Sequence, residues 1–230
     1  MKPDAFLLAR LQGKKGWNFE REGSPRNALD YYYNAFNFIH KGRINVQLEE
    51  VYLRVMHCLK HDQSYEKLIN YSEGIIKNAR MQENTDCYRG EFMLRVYGYA
   101  AEGHFFNCTH NYELVKTDKR ITSHIEAGKK VIEDIGEYHE LVPEFYLIVG
   151  RYLLACRQYF DGLVFLNKAL LVSETIKTEH HPDLGLTLLS IATACTAMHD
   201  YPQAYRRVKQ CVTIWRKYYP PHHQRLIITY

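Results

Sequence analysis

Apolar and small residues recur along the chain at the spacing of amphipathic helix pairs. The markers of the second helix in each pair lie 40, 53, 41 and 42 residues apart, at Ala28, Leu68, Ile121, Gly162 and Ala204. Two helices within a period of this length are typical of a helical repeat array. The pattern therefore predicts an all-α chain of stacked helix pairs.

Within each pair, small residues stand where two antiparallel helices must approach closely. Gly150 in a first helix is followed twelve residues later by Gly162 in the second, and Gly16 is followed in the same way by Ala28. We predict that the two markers of a pair allow close packing. The residue sixteen positions after the first marker, such as Leu166, is predicted to face the next repeat.

The third pair departs from this spacing. Its markers Gly98 and Ile121 are 23 residues apart where the other pairs show 12, which leaves eleven additional residues. They fall between about Phe105 and Lys119, since apolar residues at helical spacing resume at Ile121. We expect a loop from His104 to Lys119, which is either a lengthened surface loop without function or a second contact site.

The residue types at these markers, together with the period, resemble the tetratricopeptide (TPR) repeat. The resemblance implies a TPR-like antiparallel helix-pair solenoid, wound as a right-handed superhelix, with about five repeats and an insertion in the third. It also implies a single domain over residues 1–230, with a terminal helix at 222–230 and repeats at approximately 5–42, 45–82, 88–138, 142–178 and 182–218. Such arrays bind partners along a concave surface and seldom perform chemistry.

The C-terminal part of the chain resembles two narrower groups. The segments 179–186, 201–204 and 219–224 are similar to the long TPR units of kinesin light chains. They are still more similar to the helical C-terminal domain of the SET- and MYND-domain lysine methyltransferases. The sequence contains no SET cofactor motif and no MYND cysteine cluster, so this resemblance implies a relative without the enzyme. A repeat type that arose independently explains the same residues.

Composition narrows the class of protein. The 230 residues are 46% hydrophobic and 24% charged, with a net charge of +4, which is enough for one continuous core. No apolar run reaches the length of a membrane span, and the first residues lack the order of a signal peptide. We expect a soluble cytoplasmic protein, or else a nuclear one, without a membrane partner. The six cysteines form no CxxC pair and are expected to pack as small hydrophobic residues.

The sequence carries no recognised catalytic motif. It has no HExxH, GxSxG or P-loop pattern, and the pairs His180-His181 and His222-His223 have no cysteine or carboxylate at ligand spacing. Neighbouring residues in a sequence also seldom converge on one metal. The prediction is therefore a protein that is not an enzyme, with no catalytic residue, no cofactor and no metal site.

The repeat alignment also predicts which side chains line the concave surface. In TPR arrays the positions −3, +1, +4 and +5 from each first-helix marker point inward. The aromatic and basic residues among them form the predicted partner-binding groove: Trp17, Arg21, His57, Lys60, His61, Arg95, Tyr99 and Arg151. The basic groups would attract an acidic or phosphorylated segment, and Trp17 and Tyr99 would serve as flat anchors. Alternatively, some of these charges lie on a solvated rim or pair with Glu20 and Glu102.

These features favour an adaptor or scaffold for protein–protein interactions that binds an acidic peptide segment. One alternative is single-stranded RNA in the same channel, bound by aromatic stacking and phosphate neutralisation, although a net charge of +4 is only mildly basic. Another is a structural subunit or oligomer that docks through a C-terminal edge formed by Leu226, Ile227 and Ile228. The other interpretation of that short apolar segment is that it closes the edge of the core.

Overall fold

The structure is a computed structural model, and it describes residues 5–37, 49–81, 90–108, 112–176 and 181–227. These residues form α-helices joined by turns, and no strand occurs among them. In chain order the helices are α1 (Ala5–Arg21), α2 (Pro25–Asn37), α3 (Glu49–His61), α4 (Tyr65–Met81), α5 (Gly90–Asn107), α6 (Tyr112–Thr117), α7 (Lys119–Ile135), α8 (Val142–Ala155), α9 (Tyr159–Ile176), α10 (Leu184–Ala197), α11 (Tyr201–Tyr218) and α12 (Gln224–Ile227). The predicted all-α fold is confirmed.

The chain divides into two compact units, which are described separately. The N-terminal unit comprises Met1–Asn107 and Lys119–Val131, and the C-terminal unit comprises Cys108–Asp118 and Ile132–Tyr230. The predicted organisation as a single domain over residues 1–230 stays a prediction. No helix among the described residues combines the length and the apolarity that crossing a membrane requires.

In the N-terminal unit, α1 and α2 pack through a glycine against a tyrosine. A tight turn at Gly23 joins the two helices, and its φ of +77° lies in the region that favours glycine. A Cβ atom added at Gly16 would lie only 2.7 Å from Cε1 of Tyr32, so a larger residue would force the helices apart. Tyr32 stands sixteen positions after Gly16, and it packs on the marker of its own repeat, a contact that the prediction did not include.

The described residues of the insertion in the third repeat are mostly helical. We expected a loop between His104 and Lys119, but α5 continues to Asn107 and a short additional helix, α6, runs from Tyr112 to Thr117. His104 and Phe105 are buried. The extension of α5 therefore adds to the core, and the prediction of a surface loop that starts at His104 is wrong.

In the C-terminal unit, two helix backbones approach closely at predicted markers. A Cβ atom at Gly150 in α8 would lie 2.6 Å from Cγ of Leu166 and 3.2 Å from the carbonyl oxygen of Gly162 in α9. Both glycines are thus required for α8 and α9 to lie against each other, as the sequence predicts.

The helices α10 and α11 are organised around a buried tryptophan. The indole of Trp215 is 1% exposed, and its Nε1–H donates to the carbonyl oxygen of Pro182 at 2.9 Å. Gly185 leaves the space for this ring, because any Cβ atom there would overlap the indole. Asp200 caps α11 by accepting a hydrogen bond from the backbone N–H of Gln203 at 3.2 Å.

The prediction of a docking edge is wrong for Leu226. Leu226 in α12 is 1% exposed and belongs to the core cluster of the C-terminal unit, together with Trp215. Its side chain therefore closes the core and is not available as a docking contact. Ile228 and the side chain of Ile227 lie outside the described residues.

The described cysteines behave as packing residues. Cys58, Cys156, Cys195 and Cys211 are buried, and each is a free thiol. Burial penalises the charged thiolate and raises the pKa of Cys58 and of Cys211 to about 12. These thiols are consequently poor nucleophiles near neutral pH.

Candidate functional site

Polar side chains of α1, α3 and α5 meet across the first helices of the N-terminal unit. Between α1 and α3, Nδ1 of His57 lies 2.8 Å from Oε1 of Glu20. Between α3 and α5, Nζ of Lys60 lies 2.7 Å from Oε2 of Glu102. Residues at the predicted inward positions are therefore neighbours on one surface, which we call the α1–α3–α5 face.

An open pocket lies where α1 meets α3 on this face. It has a volume of about 420 Å³, and its lining includes Trp17, Arg21, Arg54, His57 and His61. The guanidinium carbon of Arg21 stands 5.2 Å from the centre of the Trp17 ring, and Trp17 is 44% exposed. The two imidazoles are edge to face, with their Nε2 atoms 3.2 Å apart.

Glu20, which also lines this pocket, contacts several polar side chains. Its carboxylate accepts a hydrogen bond from the hydroxyl of Tyr32 at 2.8 Å and another from Nη1 of Arg54 at 3.4 Å. Its side chain is only 12% exposed. Burial raises the pKa of Tyr32, and so does the hydrogen bond from its hydroxyl to Glu20. The phenol therefore remains protonated and keeps donating this hydrogen bond.

The predicted groove residues differ in their partners, in their burial and in the unit to which they belong. Lys60 is paired with the buried Glu102 and stands 5.9 Å from the ring centre of Tyr99. For Lys60, the alternative that the charge is paired within the protein is therefore the correct one, and Nδ1 of His57 likewise contacts Glu20. Arg95 is half-buried on α5. Arg151 is half-buried on α8 and belongs to the C-terminal unit.

A second cluster, which the sequence analysis missed, lies among α4, α5 and α7 of the N-terminal unit. Oε1 of Glu73 is 2.7 Å from Nε2 of His104 and 3.8 Å from Nε2 of His124. Both histidines are buried, at 1% and 7% exposure. Burial, followed by the neighbouring His104, lowers the pKa of His124, so its imidazole is neutral near pH 7.

This cluster carries no sequence signal that a motif could detect. His104 follows Glu73 by 31 residues, and His124 lies on the far side of the insertion. The side chains come together only because three separate helices pack against one another. A pocket of about 710 Å³ opens beside the cluster, and its lining includes Glu73, His124, Lys77, Arg80, Lys119 and Arg120.

Comparison with known protein sequences gives a limited match. No protein-family model matches the chain. Among curated proteins, the chain is similar to the RxLR effector protein SFI4 of Phytophthora infestans (strain T30-4), with 28% identity over 79 residues. The match covers 34% of this chain and 22% of that protein. It therefore spans about a fifth of the relative's length.

Solved structures share the fold at low sequence identity. BtubC (BKLC) from P. vanneervenii has a TM-score of 0.69 and 16% identity, covering 96% of this chain and 85% of that one. The TPR-like repeats of a putative kinesin light chain from Podosopora anserina give 0.65 and 13%, over 94% and 98% of the two chains. The apo form of RapI gives 0.67 and 17%, over 91% and 70%.

These similarities concern the fold alone, because all three identities are low. They confirm the predicted TPR-like helix-pair architecture. The narrower resemblance to the C-terminal domain of the SET- and MYND-domain methyltransferases is not shown by them and stays a prediction.

Proposed function

Since the chain folds as a TPR-like array of helix pairs, we propose that it is a non-enzymatic scaffold that binds an acidic peptide segment on the α1–α3–α5 face. Its partner is a protein, and the contact is made by the first helices of the N-terminal unit. The pocket beside Trp17 receives one side chain of the peptide, and Arg21 holds a carboxylate.

The observation that carries this proposal is the pair formed by Trp17 and Arg21. Trp17 is 44% exposed and lines an open pocket, so a peptide side chain bound in that pocket would contact it and remove its apolar surface from water. The guanidinium carbon of Arg21 stands 5.2 Å from the centre of this ring, and a guanidinium over an aromatic ring keeps its N–H groups available as donors. These groups match the two oxygens of a carboxylate.

The distribution of charge on the face supports an acidic peptide. The carboxylates of Glu20 and Glu102 are nearly buried and are occupied by His57 and Lys60. They therefore present little negative charge to a ligand. Arg21 is exposed at the rim, and it provides the positive charge that a partner meets first.

The proposal is tested by selecting random phage-displayed peptides for binding to the full chain. The selected peptides are then synthesised, and their affinities are measured by fluorescence anisotropy. We expect acidic peptides with one aromatic or aliphatic residue. Arg21→Glu and Trp17→Ala should each weaken their binding by at least about tenfold, the effect of losing one charge-assisted hydrogen bond or one aromatic anchor.

Lys15→Glu is the matched control, because Lys15 is an exposed basic residue on the same helix. Six residues separate it from Arg21, which places it about 120° away around α1. It should change affinity by less than about threefold through long-range charge. Peptides without acidic residues, or equal losses in Arg21→Glu and Lys15→Glu, would contradict the proposal.

A labelled single-stranded oligouridylate, titrated in parallel, tests the RNA alternative. Binding that falls with Arg21→Glu and with rising salt, without any acidic peptide being selected, would assign the face to RNA instead.

A further inference from the structure

The cluster of Glu73, His104 and His124 combines three side chains that ligate transition metals. Each comes from a different helix, namely α4, α5 and α7. One ligand atom from each lies within 4.8 Å of the others. Two imidazoles and one carboxylate form a set of donors that binds zinc and related divalent ions.

An unsatisfied imidazole gives an independent indication of a ligand. His124 is 7% exposed, and neither of its ring nitrogens has a hydrogen-bond partner among the described residues. Its Nε2 is 3.8 Å from Glu73, which is too far for a hydrogen bond. Buried polar atoms are nearly always satisfied, since leaving one unpaired carries the full cost of removing it from water.

We propose that Glu73, His104 and His124 form a binding site for a divalent transition-metal ion of the zinc class. The ion takes its ligands from Oε1 of Glu73 and the Nε2 atoms of the two histidines. This site is separate from the proposed peptide-binding function and does not depend on it.

Two of the three distances between ligand atoms are close to those that a bound ion requires. Bonds of about 2.1 Å in a tetrahedral site place the ligand atoms about 3.4 Å apart. The observed separations from Oε1 of Glu73, 2.7 Å to His104 and 3.8 Å to His124, lie on either side of this value. The shorter one is a hydrogen bond, and the ion would replace its proton.

The pocket of about 710 Å³ supplies both an entry path and an open coordination position. Glu73 and His124 belong to its lining, and the other charged residues that line it are Lys77, Arg80, Lys119 and Arg120. These four side chains are exposed, so salt screens the repulsion that they exert on a cation. Their positive charge favours an anion or hydroxide as the remaining ligand of the metal.

The test is a competition titration of the full chain, prepared free of metal, against a chromogenic zinc chelator. The pair His57 and His61, four residues apart on α3, lies on the α1–α3–α5 face and is a second zinc-binding candidate. Its zinc binding must be separated from that of the proposed site. The double variant His57→Ala, His61→Ala removes this pair and serves as the matched control. We expect it to retain one zinc ion with unchanged affinity.

Removing a ligand should weaken this binding strongly. In the control background, His124→Ala and Glu73→Ala should each lower the zinc affinity by more than about tenfold, at least the loss that follows from removing an outer-shell partner. Cobalt(II) should give a visible absorption band that His124→Ala eliminates. A large excess of Mg²⁺ should not displace zinc, because magnesium prefers oxygen ligands.

We expect Glu73→Ala to fold normally, because the Glu73 side chain is 40% exposed and alanine favours helix. This variant therefore separates the loss of a ligand from the loss of structure. Its helical content by circular dichroism should equal that of the control. The proposal is overturned if the control background binds no zinc, or if Glu73→Ala and His124→Ala bind it as tightly as the control does.

Discussion

The N-terminal and C-terminal units pack their helices in the same way but expose different chemistry. In the N-terminal unit Tyr32 fills the space left by Gly16, and in the C-terminal unit Leu166 fills the space left by Gly150. The spacing in sequence is identical, sixteen residues in both cases. Unlike Leu166, Tyr32 carries a hydroxyl group, which donates a hydrogen bond to Glu20 at 2.8 Å.

The surfaces of the first helices differ accordingly. On the α1–α3–α5 face, charged side chains such as Glu20 and His57 contact each other across helices. On α10 of the C-terminal unit, the hydroxyls of Thr193 and Thr196 donate to carbonyl oxygens four residues earlier in the same helix. The repeat spacing thus accounts for how these helices pack, whereas the polar residues between the markers give the two units different surfaces.

If the packing is shared, the same substitution should destabilise both units strongly. Gly16→Ala places a Cβ atom 2.7 Å from the ring of Tyr32, and Gly150→Ala places one 2.6 Å from Cγ of Leu166. Both fillers are buried. We therefore expect each change to lower the free energy of unfolding by about 2–3 kcal/mol, a typical cost of overpacking. Urea unfolding followed by circular dichroism measures it.

Gly74→Ala provides the control of opposite sign. Gly74 lies within α4, and a Cβ atom there would meet nothing within 4 Å. Alanine should raise the free energy of unfolding by about 0.5–1 kcal/mol, because it removes the entropic cost of glycine in a helix. A loss at Gly150 without a comparable loss at Gly16 would show that the two units do not share this packing.

The sequence predicts packing well because packing depends on local period. The small size of Gly150 and Gly162 and the twelve-residue interval between them are sufficient to place α8 against α9. The exposure of Leu226, in contrast, could not be predicted from the local pattern. Its apolar character was recognised, but whether it is exposed depends on Trp215, which packs in the same core cluster of the C-terminal unit.

The polar sites are harder to predict because they depend on tertiary structure. The alignment identified His57 and Lys60 as surface positions, but it could not say that Glu102 would be buried beneath Lys60. The cluster of His104 and His124 depends in addition on the extension of α5 through the insertion, which we expected to be a loop. No spacing within one helix could have indicated it.

A smaller effect should separate the buried polar contacts of the N-terminal unit from the exposed ones of the C-terminal unit. Tyr32→Phe removes a hydrogen bond to the nearly buried Glu20 and should lower the free energy of unfolding by about 1–2 kcal/mol. Tyr146→Phe removes the equivalent bond to Glu137, whose side chain is 56% exposed. Water replaces that bond, so the loss should stay below about 0.5 kcal/mol. Equal losses in the two variants would contradict the contrast between the units.

The smallest expected effect concerns one exposed ion pair in each unit. Arg26 lowers the pKa of Asp62 in the N-terminal unit, and Lys168 lowers the pKa of Glu137 in the C-terminal unit. A carboxyl group whose pKa is lower in the folded chain binds fewer protons there than in the unfolded chain. Each pair therefore stabilises the fold fully above the unfolded pKa, about 3.9 for Asp and 4.3 for Glu, and loses this contribution as the pH falls through the folded pKa.

Arg26→Gln and Lys168→Gln should accordingly lower the melting temperature slightly at pH 7, and this loss should shrink as the pH falls through the folded pKa of each carboxyl group. The effect is small because both basic partners are largely exposed to water. The two units should respond alike here, since an exposed pair is screened by solvent wherever it stands. A pH-independent loss in either variant would mean that the basic side chain stabilises its unit through packing of its apolar stem and not through its charge.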